Sequence, residues 1–206
     1  MEKQKTNYAD IRQQASIMLK KILKIINLLF APISIIWNIS IFSCLYFFIG
    51  NTAACLHLER VSKRSVKPIL RLFGAKIGKR CIIETGLVFH NCNSFKNLII
   101  GDKCHIGKKC FFDLRDRITI KDNVVISMKT TLITHQDFYL SSLKQNFPSK
   151  NKEIVINSNS YIGANSTILM VTVGTRSIVG ANALVNKDVV KDAIVGGVPA
   201  RIIKTN

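Results

Sequence analysis

Short apolar residues return every six positions through most of this chain, a spacing that neither a lone helix of period 3.6 nor an alternating strand of period 2 sustains. The series runs Ile77, Ile83, Phe89 and Phe95, then after a five-residue step Ile100, Ile106 and Phe112, then Ile120, Ile126 and Leu132. After a gap it resumes at Ile156, Ile162 and Ile168, slips by one to Val173, and continues through Val179 and Val185. In a chain that is 48% apolar, sixteen such positions in succession arise by chance about once in 10⁵ sequences. The period fits a coil of three short strands, one turn per roughly eighteen residues. Each strand sends its repeated side chain into a shared core while Gly, Asn and Asp turn the corners. Four places after the apolar residue stand Cys81, Cys104, Cys110, Thr130, Ser160, Ser166, Thr172, Ser177 and Ala183, small residues suited to a crowded corner. Packing accounts for all of them. The cysteines contain no Cys-x-x-Cys pair, and Cys104-His105 with Cys110 lacks the partners of a zinc site, so the expectation is reduced thiols and no metal.

The N-terminal part has a different texture. From Ile25 to Gly50 no residue is charged, a run long enough to cross a hydrocarbon core of about 30 Å as a helix and too long for the apolar part of a secretory signal. Lys3, Lys5, Arg12, Lys20, Lys21 and Lys24 precede it, and Arg60, Lys63, Arg64, Lys67 and Arg71 follow it. Basic residues on both sides favour a cytoplasmic location for both flanks. A re-entrant or monotopic hairpin broken near Ala31-Pro32 is the expectation, since Pro32 removes a backbone donor; a single tilted helix is the alternative. Residues 57–73 read as a basic amphipathic connector lying on anionic headgroups. Thirty Lys and Arg against twelve Asp and Glu give a formal charge of +18, which calls for an anionic partner. No helix, zinc or aromatic-platform motif supports nucleic acid, so lipid and a phosphorylated small molecule are the expected partners.

The tetrads Ile100-Gly101-Asp102-Lys103, Ile106-Gly107-Lys108-Lys109, Ile162-Gly163-Ala164-Asn165 and Val179-Gly180-Ala181-Asn182 show the repeat most clearly. On them, the stretch from about Gly74 to Lys204 resembles the hexapeptide-repeat acyltransferases. YIGANSTILMVTVGTRSIVGANALVNKDVVKDAIVGGVPARIIK is similar to the C-terminal half of the galactoside, maltose and capsular-polysaccharide O-acetyltransferases, its closing Gly-Val-Pro-Ala-Arg being among the more specific parts. The resemblance implies a mainly β fold, a left-handed parallel β-helix, here preceded by an N-terminal helical membrane segment. It further implies a homotrimer and acetyl-CoA as co-substrate. The expected organisation is a basic lead (1–24), a membrane segment (25–50), the connector (51–73), a β-helix domain (74–190) with a loop at 136–153, and a C-terminal tail (191–206).

Between Leu132 and Ile156 the repeat is interrupted by a long irregular insertion, which in a regular coil is commonly functional. It opens with Thr134-His135-Gln136-Asp137, where the resembling family has its catalytic histidine before a projecting loop. His135 is therefore the expected general base: imidazole titrates near neutrality and suits removal of a hydroxyl proton during acyl transfer. Asp137 is a candidate to orient it or to meet the acceptor. Asp113, where relatives carry an acceptor-binding Asn or Asp, and Tyr161, where they carry a Trp beside the acyl donor, complete the acceptor set. The other histidines, His57, His90 and His105, read as solvated side chains. For the donor, the resemblance puts the pantetheine arm near backbone groups of Ala164 and Ala181, and the phosphates near Lys187, Arg201 and Lys204, where cations suit a strongly anionic nucleotide. Asn186 replaces the common Thr before the Lys, and Ile168-Leu169-Met170-Val171-Thr172 is one residue shorter than the family's strand.

The function expected is O-acetylation of a sugar in a surface polysaccharide or its lipid-linked precursor, at the cytoplasmic face of the cytoplasmic membrane. N-acetylation of an amino sugar and a noncatalytic membrane-bound scaffold are the alternatives.

Overall fold

The computed structural model describes the backbone of residues 2–205 and the side chains of residues 12–26 and 29–205. Three helices precede the strands: α1 (Glu2–Cys44), continued by a π-helical turn at Leu45–Ile49, then α2 (Asn51–Arg60) and α3 (Lys63–Leu72). From Lys76 onward the chain winds into a parallel β-helix with three faces. The first sheet stacks Lys76–Ile77, Leu98–Ile100, Ile118–Ile120, Ile154–Ile156 and Thr172–Val173. The second stacks Ile82–Ile83, His105–Ile106, Val125–Ile126, Tyr161–Ile162, Ile178–Val179 and Ala193–Gly196. The third stacks Val88–His90, Phe111–Asp113, Thr131–Ile133, Thr167–Leu169 and Leu184–Val185.

All sixteen residues of the six-residue series are buried, none more than 8% exposed. Each such side chain contributes about 1.5–3 kcal/mol on leaving water. Phe95 is the one that does not stand on a strand. It lies in a 3-10 turn, Phe95–Asn97, and closes the N-terminal end of the core by packing edge-on against Phe89, ring centroids 4.9 Å apart. Thr172 likewise leaves its expected corner: the coil is a residue short, Met170 turns it with φ 52°, and Val171 takes the buried place.

Glycine and the corner residues divide the work differently from expectation. The left-handed corners are taken by Asn123, Asn159, Asn165 and Asn182, and also by Arg80, Lys103, Lys109, Lys129 and Arg176, all with φ between 55° and 62°. Gly163 is needed for another reason: a Cβ there would lie 2.5 Å from the backbone nitrogen of Ala181 in the next coil. Gly163→Val forces the two coils apart, and destabilisation of about 2–3 kcal/mol is expected. A lowered thermal midpoint measures it; an unchanged midpoint contradicts this account of the glycine.

Register shows how irregular the coils are. Lys76 pairs with Ile99, Ile99 with Thr119, Thr119 with Val155 and Val155 with Thr172, so successive coils rise by 23, 20, 36 and 17 residues. The 36-residue step holds the projecting loop, which leaves as a two-stranded antiparallel hairpin with His135 opposite Asn151.

The N-terminal part departs from expectation in two ways. α1 runs unbroken through Pro32, so the chain does not turn back at Ala31-Pro32. Contacts after the proline hold the helix on course: Asn38 Nδ2 donates to Ser65 Oγ at 3.3 Å, and Phe42, fully buried, meets Phe73 with ring centroids 4.6 Å apart. Those anchors offset the one hydrogen bond the proline removes. α3 is amphipathic as expected, but its apolar face is occupied by protein. Val66, Ile69 and Leu70 are at most 1% exposed and, with Phe42 and Phe95, cap the open end of the β-helix. The apolar face of α3 is therefore covered by protein and not available to lipid.

The C-terminal tail is also part of the fold. Ala193–Gly196 extends the second sheet, and Arg201–Thr205 folds back antiparallel upon it through the Gly-Val-Pro-Ala turn. Covering the last parallel strand in this way protects a sheet edge.

Candidate active site

The third sheet carries the candidate site. His90 and Asp113 are register partners at the ends of adjacent strands, and the chain leaves the next strand at Ile133, two residues before His135. Thr134 is fully buried and turns the chain outward: its backbone N–H and its hydroxyl donate to Asp113 Oδ2 at 2.9 and 2.8 Å. His135 then lies with Nδ1 2.6 Å from the same carboxylate oxygen. Asn91, at a left-handed corner with φ 51°, donates from Nδ2 to Asp113 Oδ1 at 2.8 Å.

Asp113 is only 1% exposed, so its charge depends on these donors. Burial pushes its pKa up, but the hydrogen bonds from His135, Asn91 and Thr134 together outweigh that and hold it at about 2. It is an anion at any physiological pH. A carboxylate facing Nδ1 keeps the ring proton on that nitrogen and leaves Nε2 with its lone pair.

Asp113, expected at the acceptor, is thus occupied by the histidine. Asp137, the expected orienter, does not touch His135; its carboxylate accepts from Ser149 Oγ at 2.7 Å and from the Tyr139 N–H at 2.9 Å, and pairs with Arg115 at 3.2 Å. Its bonds pin the base of the loop. Tyr161, 43% exposed, lies on the second sheet between Val125 and Ile178 rather than on the third with His135. His90, read as an ordinary solvated residue, is exposed but has its ring 6.1 Å from that of His135. His57 is not solvated as expected, since its Nε2 is buried without a partner. Among the thiols, Cys104 and Cys110 fill buried corners, donating to the carbonyls of Lys121 and Ser127 in the next coil.

Of the donor set, Ala164 and Ala181 occupy the same corner of successive coils, linked by the Asn182 N–H to Ala164 carbonyl bond at 2.9 Å and by Asn165 Nδ2 to Asn182 Oδ1 at 2.6 Å. Lys187 and Arg201 are brought together at a cleft of about 420 Å³ that also includes Asn186 and Asp188. Lys204 is on the terminal strand opposite Ile194, outside that lining.

The three-faced parallel β-helix, with a histidine held by a carboxylate at the root of its projecting loop, can be set beside the known proteins similar to this chain. The family model described as the hexapeptide repeat of succinyl-transferase matches residues 97–131 and 153–187. The putative colanic acid biosynthesis acetyltransferase WcaF of Escherichia coli K12 is 31% identical over 137 residues, 66% of this chain and 72% of that protein. Galactoside O-acetyltransferase of the same organism is 28% identical over 155 residues, 72% of this chain and 71% of its own. The crystal structure of the hexapeptide-repeat acetyltransferase VCA0836 from Vibrio cholerae matches with a TM-score of 0.64 at 32% identity, covering 73% of this chain and 85% of that one. The same enzyme complexed with acetyl-CoA matches at 0.54 and 26%, covering 73% and 81%. This chain belongs to the hexapeptide-repeat acetyltransferases. It is an acetyl-CoA-dependent acyltransferase, and its β-helix has the left hand of that family.

Proposed function

We propose that the enzyme is a membrane-associated O-acetyltransferase that transfers acetyl from acetyl-CoA to a sugar hydroxyl of a surface polysaccharide or its lipid-linked precursor, with His135 as general base. The observation that carries this reading is the 2.6 Å approach of Asp113 to His135 Nδ1. Nε2 takes the proton of the acceptor hydroxyl while its oxygen attacks the thioester carbonyl. As the tetrahedral intermediate collapses, the new C–O bond is kept, the C–S bond breaks, and the imidazolium returns its proton to the leaving thiolate. Asp113 acts as a positioning residue that fixes the tautomer and offsets the transient positive charge. Lys187 and Arg201 suit the phosphates of the donor, and the stacked corners at Ala164 and Ala181 suit its amides.

The acceptor class draws on the sugar named for the galactoside enzyme and the colanic acid named for WcaF. A homotrimer is the assembly that fits the outward apolar side chains of the second sheet, Ile82, Tyr161 and Ile178, and those of the loop, Tyr139, Leu140 and Phe147. In such an assembly Tyr161 would serve the acceptor or acyl group across a subunit boundary. Membrane association is supported by the segment Leu29–Ile49, long and apolar enough to cross a bilayer. Its inner face is gripped by α3 and the β-helix, while Phe30, Ile33, Ile36, Trp37, Phe47 and Phe48 are 60–86% exposed. A helix held on one side by a folded domain and apolar on the other suits the boundary of a leaflet. The catalytic domain then faces the cytoplasm, on the side where acetyl-CoA is made.

The direct experiment is thiol release from acetyl-CoA by detergent-purified protein, with and without an extract of lipid-linked glycans. Release that depends on glycan is expected, with a product whose acetyl group is lost in mild alkali as an ester is. An alkali-stable product would mean N-acetylation instead, and no glycan-dependent release would overturn the reading.

A further inference from the structure

We propose that the cleft between α1 and the start of α3 binds the phosphate headgroup of an acidic membrane phospholipid. This rests on the membrane-associated reading above and adds a specific headgroup site to it. The cleft encloses about 620 Å³, with Lys20 and Lys24 on the α1 side and Lys63 and Arg64 on the α3 side. Leu23 and Phe30 form an apolar wall, and no carboxylate among the described residues lines it.

The placement follows from helix geometry. Lys20 and Lys24 are one turn apart and stand on one face of α1, the face that further along carries Ala31 and Ser34 toward the same cleft. α3 begins opposite them because its apolar side is drawn down to cap the β-helix, which leaves its first residues, Lys63 and Arg64, exposed at the rim. Lys63 is held by Glu84, so one cation is fixed in position from behind. Lys20 and Lys24 have no hydrogen-bond or ion-pair partner among the described residues. Lys20 and Lys24, like charges one turn apart, repel each other, and a phosphate, with several acceptor oxygens, relieves that repulsion.

The apolar wall decides what carries the phosphate. Phe30 is 60% exposed and begins the strip Phe30, Ile33, Ile36, Trp37, each at least 60% exposed among the described residues. A free phosphate gains nothing from that strip. A phospholipid presents its phosphodiester to the cleft and its acyl chains to the strip.

The test is co-flotation of the full chain with vesicles of phosphatidylcholine alone and of phosphatidylcholine mixed with phosphatidylglycerol, after dilution from detergent. Wild type is compared with Lys20→Gln/Lys24→Gln and with Lys121→Gln/Lys191→Gln, which removes the same charge from exposed coil residues. Wild type is expected to prefer phosphatidylglycerol, the cleft variant to bind those vesicles about thirtyfold more weakly, and the control to keep the preference. A cleft variant that retains the preference, or a control that loses it equally, overturns the site in favour of bulk charge. Equal binding of wild type to both vesicles also overturns the site but leaves the membrane reading standing; binding to neither overturns that reading. Inorganic phosphate at matched ionic strength is expected to leave vesicle binding intact, whereas displacement by it would assign the cleft to a free anion.

Discussion

His135→Ala is expected to lower kcat for acetyl transfer by about 10²- to 10⁴-fold, the usual contribution of a positioned general base. That corresponds to roughly 3–5 kcal/mol of transition-state stabilisation. The KM for acetyl-CoA should change little, because the cations assigned to the donor, Lys187 and Arg201, lie at a separate cleft. The fold should survive: the buried Asp113 keeps its donors from Asn91 and from the hydroxyl and N–H of Thr134. His135 itself is largely shielded, with 18% of its side chain exposed, so the deletion leaves a small recess that added imidazole can enter. Partial recovery of activity with imidazole is the accompanying expectation. Glycan-dependent release of thiol by His135→Ala within tenfold of wild type would remove this residue from the chemistry.

The site lay partly in view in the sequence because a break in a regular repeat is a local signal. The periodicity on either side marks the break without knowledge of register, and the family resemblance singles out His135 at its start. Its partner was hidden for the opposite reason. Asp113 and His135 are 22 positions apart and meet because the coil between them rises by 20 residues instead of a uniform eighteen or so, through the insertion after Leu114, while the insertion after Asn91 lengthens the coil below to 23. Apolar spacing shows which residues point inward; it does not count the residues in an outward bulge. The same limit hid His90 and Asn91, which reach the site from one coil below. At the N-terminus the pattern of α3 was legible but its partner was not. An amphipathic helix has one apolar face, and whether lipid or the open end of a β-helix covers it is decided by tertiary packing of Val66, Ile69 and Leu70. Pro32 shows a further conflict between levels: local preference favours a break, and contacts of Asn38 and Phe42 beyond it carry the helix through.

Asp113→Asn separates the charge of the positioning residue from its shape. Asparagine is isosteric and can still accept from His135 Nδ1 and from Thr134 through its own carbonyl oxygen, turning its amide nitrogen toward Asn91. Asn91 can answer by rotating its side chain to present oxygen, and the N–H of the exposed Arg115 gives up only a long 3.4 Å contact with Oδ1. The tautomer with Nε2 free is therefore kept, but the imidazolium formed in the reaction has lost its buried counter-charge. A fall in kcat of about 10²- to 10³-fold with KM for acetyl-CoA retained is expected, since a buried carboxylate is felt most strongly when the ring becomes charged. Stability supplies an independent readout with a definite sign. The carboxyl pKa is depressed from 3.8 to about 2 in the folded chain, so its contribution is fully present above pH 4 and is lost as pH falls toward 2. That contribution is roughly 2 kcal/mol at neutral pH. The acid decline of the wild-type thermal midpoint between pH 4 and 2 should accordingly be shallower in Asp113→Asn. A variant with wild-type kcat would show that the carboxylate serves the turn at Thr134 alone, while Asp113→Ala, which strands Thr134 and Asn91, should lose folding as well as activity.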